Sequence, residues 1–390
     1  MNALPLLLTL AAAPPAIPAA VRPLGACVAR SGPGGEAGFA ASAFAQVFAR
    51  YDARFADDAD FNEFSLGRGE LGACTTWGGV GGMLINLEAV RSAGPDSLFG
   101  VAGDSLVIRA KHAFAFTDQD LGFGQLTLQV GLVPDPWTQS IEGEYDLRGA
   151  APTLAERAQF FDTSDLGATA QLQALEGRVG LRVAYLNGEG RNQIEQNAGK
   201  NLTFVLSGTP LLMDLAGPLQ VNLHAGYRDG SLGAGKARNH RLFGALTALH
   251  PRAKLGVEWS EAFGYRGRGE VKARLIGAWA SGALIDPYLG LYARYDRIWT
   301  DTSLAGAHQQ RIEAGLYTDA LSQARPTAPL RLRAYLGYAR ETFGAASGPL
   351  PGAAALADNH TVLLVVEALG WSPALRASAP ENDDDAHPSS

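Results

Sequence analysis

Basic residues recur two or four positions apart in several short segments, a spacing that places them on one face of an extended strand. A guanidinium group stays charged and binds carboxylate or phosphate oxygens in pairs, while an ammonium group acts as a point charge. A wall built from such groups attracts anions. The candidate wall residues are Arg109, Lys111, Arg178, Arg182, Lys254, Lys272, Arg274, Arg311, Arg331 and Arg333.

Negative charge concentrates in Gly131–Gly167, the longest segment without alternating apolar and polar residues. An acidic loop facing a basic wall would set a transverse field, which orients dipolar solutes and leaves a weak net ion preference. We expect a short helix in Thr153–Phe161, capped by Thr153 with Glu156 three residues later. A surface loop without a constricting role is the alternative. The predicted constriction residues are Trp137, Glu142, Glu144, Asp146 and Arg148.

The motifs of common catalytic sites are absent from the sequence. It holds no Gly-x-Ser-x-Gly elbow and no His-Glu-x-x-His zinc pair. The seven histidines are scattered without the spacing of metal ligands. The glycine-rich segment Gly264–Gly269 opens no predicted helix and is interpreted as a loop. The sequence therefore predicts no catalytic residues, no bound metal and no cofactor.

Strands must position the charged side chains, because apolar and polar residues alternate with period two from about Phe39 onward. In Gln125–Leu132 one face carries leucine and valine and the other glutamine and threonine. In Leu219–Tyr227 apolar residues oppose Gln220, Asn222 and His224. A strand of this kind meets an apolar medium on one side and water on the other.

About sixteen such runs follow one another, and the links between them alternate between short and long. This pattern is typical of an all-β, up-and-down antiparallel barrel that crosses a membrane, with tight turns on one rim and longer loops on the other. A barrel of this size keeps a water-filled lumen. A soluble sandwich or propeller is the alternative. The predicted strands begin near Phe39, Asn62, Gly79, Asp104, Gly122, Ser164, Gly177, Lys200, Pro218, Asn239, Arg252, Gly269, Leu284, His308, Ala328 and Asn359.

Composition narrows the class of protein. Hydrophobic residues make up 47% of the 390 positions, 47 glycines interrupt them, and charged residues reach only 18%. This balance suits neither a disordered chain nor a leucine-rich helical one. The net charge is −7 without a basic cluster, which argues against nucleic-acid binding. Outside the apolar N-terminal segment, no uncharged apolar run approaches the roughly 18 residues that a transmembrane helix needs.

The ends of the chain suggest export. Residues 1–20 resemble a signal peptide, followed by a periplasmic lead (21–38), the barrel (39–371) and an acidic disordered tail (372–390). The two cysteines, Cys27 and Cys74, could form a disulfide in an oxidising compartment. Alternatively, Leu24–Cys27 resembles a lipoprotein cleavage site. Mass spectrometry of the mature protein separates the two, because a lipidated Cys27 is unavailable for a disulfide.

Several short segments, in this order, resemble the Gram-negative outer-membrane porins, in particular the family that includes the phosphate-selective porins O and P. The resemblance implies a sixteen-stranded barrel, usually trimeric, whose third long loop folds into the lumen. Here the third long link falls within Gly131–Gly167. The matching segments are Phe64–Arg68, Leu84–Glu88, Arg91–Gly94, Lys111–Phe114, Gln129–Trp137, Ser164–Ala168 and Tyr185–Gly190.

Two features depart from that family. Barrels of this kind end on a strand with a terminal aromatic residue, whereas this chain continues past Trp371. The lysine-rich loop expected of a phosphate-selective pore is also missing. Phosphate selectivity is therefore not implied.

The sequence as a whole predicts a porin in the Gram-negative outer membrane that passes small hydrophilic solutes or ions by diffusion. The expected partners are outer-membrane lipid, small solutes or anions, and two further copies of the chain. One alternative is a barrel esterase or phospholipase, which would lose activity when one serine or one histidine is replaced. The other is a non-conducting receptor or adhesin barrel with a plugged bore.

Overall fold

Sixteen strands, each pairing with its neighbours along the chain, form the protein. The computed structural model describes residues 38–56, 60–78, 80–91, 106–191, 195–267, 269–286, 288–319, 330–346, 358–372 and 375–378. The strands are β1 (Gly38–Ala56), β2 (Phe61–Trp77), β3 (Gly81–Arg91), β4 (Leu106–Asp120), β5 (Gly124–Pro134), β6 (Ser164–Ala174), β7 (Val179–Leu186), β8 (Asn201–Asp214), β9 (Pro218–Asp229), β10 (His240–His250), β11 (Ala253–Phe263), β12 (Lys272–Ile285), β13 (Leu289–Trp299), β14 (His308–Thr318), β15 (Leu330–Phe343) and β16 (Asn359–Trp371).

The sheet closes on itself because β1 also pairs with β16, in antiparallel register from Phe44–Trp371 to Ala56–Asn359. Closure gives every strand two neighbours, so backbone groups are paired without leaving an open edge. The predicted all-β, up-and-down barrel of about sixteen strands is confirmed.

Most predicted strand starts lie close to the observed ones, with one clear exception. Leu284 belongs to the end of β12, and the next strand begins at Leu289. The strand predicted to start near Lys200 is long, because β8 continues to Asp214 past a register shift between Gly208 and Leu211. The shift lets the strand continue although the alternation is interrupted there.

The two faces of the barrel differ as the alternation predicts. On β3, Leu84, Asn86 and Glu88 are buried on the inward side, while Ile85 and Leu87 are exposed on the outward side. Exposed leucine, isoleucine and valine recur on almost every strand. A closed barrel with an apolar outer surface and a polar interior is the architecture of a transmembrane β-barrel. Within the described residues, no helix is both long and apolar enough to cross a bilayer.

Several sequence predictions concern residues outside the described ranges. They are the signal peptide (1–20), most of the periplasmic lead, Cys27 and the acidic end of the tail. Disorder was predicted for the whole of 372–390, yet residues 375–378 form a short strand paired with residues 38–41. β1 starts at Gly38, but its pairing with β16 reaches only to Phe44 and Trp371. The first residues of β1 therefore have free backbone groups on that side, and residues 375–378 pair with them.

Candidate pore constriction

The segment between β5 and β6, residues 135–163, folds into the lumen, and nearly all of its residues are buried or half-buried. Two glycines mark its base: Gly131 on β5 and Gly167 on β6 are register partners with φ of 128° and 158°. A Cβ at either position would overlap the backbone of the adjacent strand. Glycine therefore lets both strands bend where the segment, which we call the inner loop, begins and ends.

Two short helices give the inner loop its shape: α1 (Pro136–Glu142) and α2 (Leu154–Arg157). Asp135 caps α1, accepting hydrogen bonds from the Trp137 and Thr138 amides at 3.0 and 3.2 Å. Proline follows as the first helical residue, where its missing N–H costs nothing. Thr153 caps α2 as predicted, although this helix spans a single turn.

We expect Thr153→Ala to lower the free energy of unfolding by about 1 kcal/mol, because the Glu156 amide loses its acceptor. Thr153 is 1% exposed, so water cannot replace the hydroxyl. Urea unfolding followed by tryptophan fluorescence measures the change. Thr153→Ser keeps the acceptor and should unfold like the parent; an equal loss in both variants would contradict the capping role.

Aromatic side chains anchor the inner loop to one side of the barrel wall. The Trp137 and Phe161 rings lie 4.6 and 4.9 Å from the ring of Phe243 on β10. The Tyr145 ring lies 5.4 Å from that of Trp279 on β12. These residues belong to one buried apolar cluster that extends to β13, β15 and β16. The inner loop thus shares a hydrophobic core with the wall.

Acidic residues of the inner loop bind the wall directly. Glu144 accepts hydrogen bonds from Asn222 at 2.8 Å and from Thr247, and its Oε1 lies 3.0 Å from Nε2 of His224. Asp146 lies 3.2 Å from Lys254 and accepts a hydrogen bond from Ser281 at 3.0 Å. These bonds hold the acids against β9–β12, and Lys254 offsets the charge of Asp146 at short range.

Ion pairs fix the loop on other sides as well. Arg157 contacts Asp296 on β13 at 2.6 Å and Glu341 on β15 at 2.5 Å. Across the lumen, Glu156 lies 3.0 Å from Arg68 on β2. Burial opposes ionisation of Glu156, but Arg148 and Arg68 outweigh it and lower its pKa to about 2. Burial likewise opposes ionisation of Asp146, and its cationic partners hold its pKa below the ordinary value.

The five predicted constriction residues take different positions. Glu144 and Asp146 face β9–β12 as described above. Glu142 pairs with Arg148 within the loop, and Arg148 also contacts Glu156 at 3.1 Å. Trp137 is fully buried in the apolar cluster and anchors the loop instead of facing the passage.

Several predicted wall cations do face the lumen. On β4, Arg109 pairs with Glu88 and Lys111 lies 2.8 Å from Glu70. Arg109 thus has its acidic partner on the neighbouring strand β3, and Lys111 has its partner on β2, the next strand but one. Elsewhere on the inner side, Arg182 binds Ser140 of the inner loop, and Arg331 and Arg333 both pair with Asp319.

Lys272 and Arg274 were predicted to line the pore but lie on the outward face of β12. Both side chains are exposed, whereas their neighbours Ala273 and Leu275 are buried inside. The prediction placed apolar residues outside and charges inside. That rule is reversed here because Leu275 packs into the apolar cluster around the inner loop.

A polar cavity of about 280 Å³ remains between the inner loop and β6–β11. Cationic groups border it through Arg178, Arg182 and Lys254, against one acid, Glu144. Amides and hydroxyls complete the lining, contributed by Gln139, Ser140, Gln171, Gln173, Ser207, Thr209, Gln220 and Asn222. The cavity can hold a small hydrophilic molecule in contact with many neutral hydrogen-bonding groups.

Sequence reasoning did not select these neutral residues as site residues. The sequence did contain a signal for them: Gln220, Asn222 and His224 alternate with apolar residues on β9, which places them on the inward face. Within the described residues no group of three or more metal-binding side chains occurs. Cys74 is buried on β2, and because Cys27 lies outside the described ranges the disulfide stays a prediction.

A scan of protein-family models gives no match, and a search of curated proteins also gives none. Solved structures share the fold. An anion-selective porin from Comamonas acidovorans has a TM-score of 0.53 at 16% identity, over 86% of this chain and 100% of that chain. The outer-membrane expressed OmpT of Vibrio cholerae has 0.52 at 12%, over 86% and 98%. Its in-vitro folded trimer form has 0.50 at 13%, over 85% and 99%. The fold is that of an outer-membrane barrel.

Proposed function

We propose that this chain is a porin of the Gram-negative outer membrane that lets small hydrophilic solutes and ions diffuse through a constricted lumen. The observation that carries the proposal is the polar cavity beside the inner loop, inside a closed barrel with an apolar exterior. Kinship with the porin O and P family and a homotrimeric state belong to the proposal; phosphate selectivity and catalysis do not. The anion-selective porin and the trimer form with the same fold support it by analogy.

The ion preference should be weak and should favour anions. Asp135, Asp146 and Glu156 of the inner loop are paired with wall cations, which reduces the transverse field expected from the sequence. Around the cavity, Arg178 and Arg182 form no salt bridge among the described residues, and Glu144 is the one acid that shares the lining with them. Their positive charge therefore acts on solutes that enter the cavity.

Replacing both arginines by glutamine should lower the anion-to-cation permeability ratio at least about fivefold. A unit charge about 4 Å from an ion in water is worth about 1 kcal/mol, so the loss of one of the two charges already gives this factor. Reversal potentials in a planar bilayer under a potassium chloride gradient measure the ratio. Arg252→Gln is the control, because Arg252 lies on the short-turn rim paired with Asp286. An equal shift in the control, or strong selectivity of the parent, would refute this account.

A non-conducting receptor barrel is the second candidate, favoured by the almost complete burial of the inner loop. The two candidates differ in transport. Proteoliposomes should swell in small sugars and in dicarboxylates if the chain is a porin. Absence of both swelling and single-channel currents would establish the plugged barrel instead.

A further inference from the structure

A serine, a histidine and a glutamate form one hydrogen-bonded chain beside the polar cavity. The Ser207 hydroxyl on β8 lies 2.8 Å from Nδ1 of His224 on β9, and Nε2 of His224 lies 3.0 Å from Oε1 of Glu144 in the inner loop. All three residues line the cavity. A nucleophile, a base and a group that orients the base follow one another in this order in serine hydrolases.

The strand register fixes the pairing of the serine with the histidine. Ser207 and His224 are register partners, and both belong to the inward face of the barrel. The Cβ atoms of such partners stand about 4.5–5.5 Å apart, close enough for a hydrogen bond between hydroxyl and imidazole. Glu144 is held in place by the Asn222 amide at 2.8 Å and by the Thr247 hydroxyl. The barrel wall therefore positions all three members of the chain.

The position of Glu144 decides which ring nitrogen of His224 is the base. A carboxylate accepts hydrogen bonds, so Nε2 carries the hydrogen and donates it to Glu144. Nδ1 then accepts the hydrogen bond from the Ser207 hydroxyl. The two nitrogens exchange the roles they have in the serine-protease triad, with the same consequence. The imidazole can take the proton of the nucleophile while the carboxylate stabilises the imidazolium that forms.

Space for a reacting group lies beside the serine. Gly180 on β7 is the register partner of Ser207 on its other side, and it borders the cavity. A Cβ at Gly180 would lie 3.7 Å from the Cβ of Ser207, so glycine keeps this side of the hydroxyl open. Gln173 on β6 follows Gly180 in the register, and Gln173 and Arg178 line the same cavity. Both can donate hydrogen bonds to an oxygen that becomes negative next to Ser207.

We propose that this site hydrolyses small hydrophilic esters that enter the lumen. The Ser207 oxygen attacks the ester carbonyl carbon while its proton passes to Nδ1 of His224, which gives a tetrahedral intermediate. The C–O bond to the alcohol then breaks, the alcohol leaves with that proton, and the acyl group stays on Ser207. A water molecule attacks the acyl carbon and gives one proton to Nδ1, and the Ser207 oxygen leaves with it. One ester and one water thus give one alcohol and one carboxylic acid.

The size and charge of the cavity restrict the ester. A volume of about 280 Å³ is too small for a phospholipid with two acyl chains. The positive charge of Arg178 and Arg182 favours an ester that also carries an acidic group. Short acyl esters of hydroxy acids have this chemistry. The activity goes beyond the proposed channel and rests on it only in that solutes must reach the lumen.

Diisopropyl fluorophosphate, a small reagent that phosphorylates activated serines, tests the proposal on the full chain in detergent. Intact-mass spectrometry should show one added diisopropylphosphoryl group, and peptide mapping should assign it to Ser207. Ser207→Ala should gain none. Ser281→Ala is the matched control and should react like the parent. Ser281 also faces inward and binds an acid of the inner loop, Asp146, at 3.0 Å, but it has no histidine partner among the described residues.

Turnover of p-nitrophenyl acetate separates the roles of the other two residues. His224→Gln keeps a hydrogen-bonding side chain that cannot accept the proton, so kcat should fall at least about 100-fold. Glu144 is a positioning residue, and Glu144→Gln removes the charge that stabilises the imidazolium. Its kcat should fall at least about tenfold with KM little changed. A role in docking the inner loop alone would leave kcat unchanged or would raise KM.

Three outcomes would overturn the proposal. They are no labelling of the parent, labelling that persists in Ser207→Ala, and equal loss of labelling in Ser281→Ala. The heat-dependent shift of each variant's band in gel electrophoresis checks that the barrel is folded. Single-channel currents are recorded from the same preparations. Currents without labelling refute the hydrolase and leave the channel, whereas labelling without currents refutes the channel and leaves the hydrolase.

Discussion

Replacing residues 135–163 by Asn-Gly is expected to raise the single-channel conductance several-fold. Pro134 and Ser164 are register partners at the ends of β5 and β6, so a two-residue turn can connect them without disturbing the barrel. Removing the inner loop opens the lumen to the width of a sixteen-stranded barrel, which is wide enough for an aqueous channel. The variant exposes Phe243 and Trp279 to water and should be less stable.

The control shortens another link. Leu232 and Ala237 pair in a small ribbon between β9 and β10, so replacing residues 233–236 by Asn-Gly keeps that ribbon. Its conductance should equal that of the parent, because this link is outside the constriction. Planar-bilayer recordings of both variants measure their single-channel conductance. An unchanged conductance in the inner-loop deletion would show that the inner loop does not limit transport.

Arg157→Met is expected to lower the free energy of unfolding by about 1.5–3 kcal/mol. Arg157 pairs with Asp296, which is fully buried, and with Glu341, so its loss leaves Asp296 with Arg294 and Glu341 with Arg311 as their remaining cationic partners. Methionine retains much of the side-chain length and volume, which limits the packing change. The loop should also leave its docked position more often, which single-channel recordings would register as added current noise.

Arg252→Met is the matched control for this prediction. Arg252 pairs with Asp286 at 3.1 Å, but both side chains are at least half exposed. A pair of that kind contributes about 0–1 kcal/mol. Urea unfolding of the two variants in the same detergent compares them. Similar small losses in both would show that the buried bridge of Arg157 does not stabilise the docked loop.

The barrel was predictable from the sequence because polarity alternates cleanly wherever the inner face meets water. Gln220, Asn222 and His224 illustrate this on β9, where the polar face lines the cavity. The cap at Thr153 was predictable for a local reason, since capping depends on residues only three positions apart.

The prediction for β12 did not succeed because both faces of that strand contain apolar residues. Leu275 and Trp279 face inward, where they contact a loop that lies far away in sequence. Gly277 belongs to the same face, and a Cβ there would overlap Leu154 of α2. The alternation alone does not show which part of the wall the inner loop covers. The outward direction of Lys272 and Arg274 could therefore be found only from the structure, in which the inner loop is docked against β12.

The ladder between β1 and β16 also has a consequence for assembly. It joins residues more than three hundred positions apart, as in the hydrogen bond from Gln46 to Glu367 at 2.8 Å. Contacts at such separation are costly to form and are made late in folding. Until then the sheet has two open edges that can pair with other chains. We expect the pairing of β16 with β1 to be the step at which an aggregation-prone chain becomes a self-contained membrane protein.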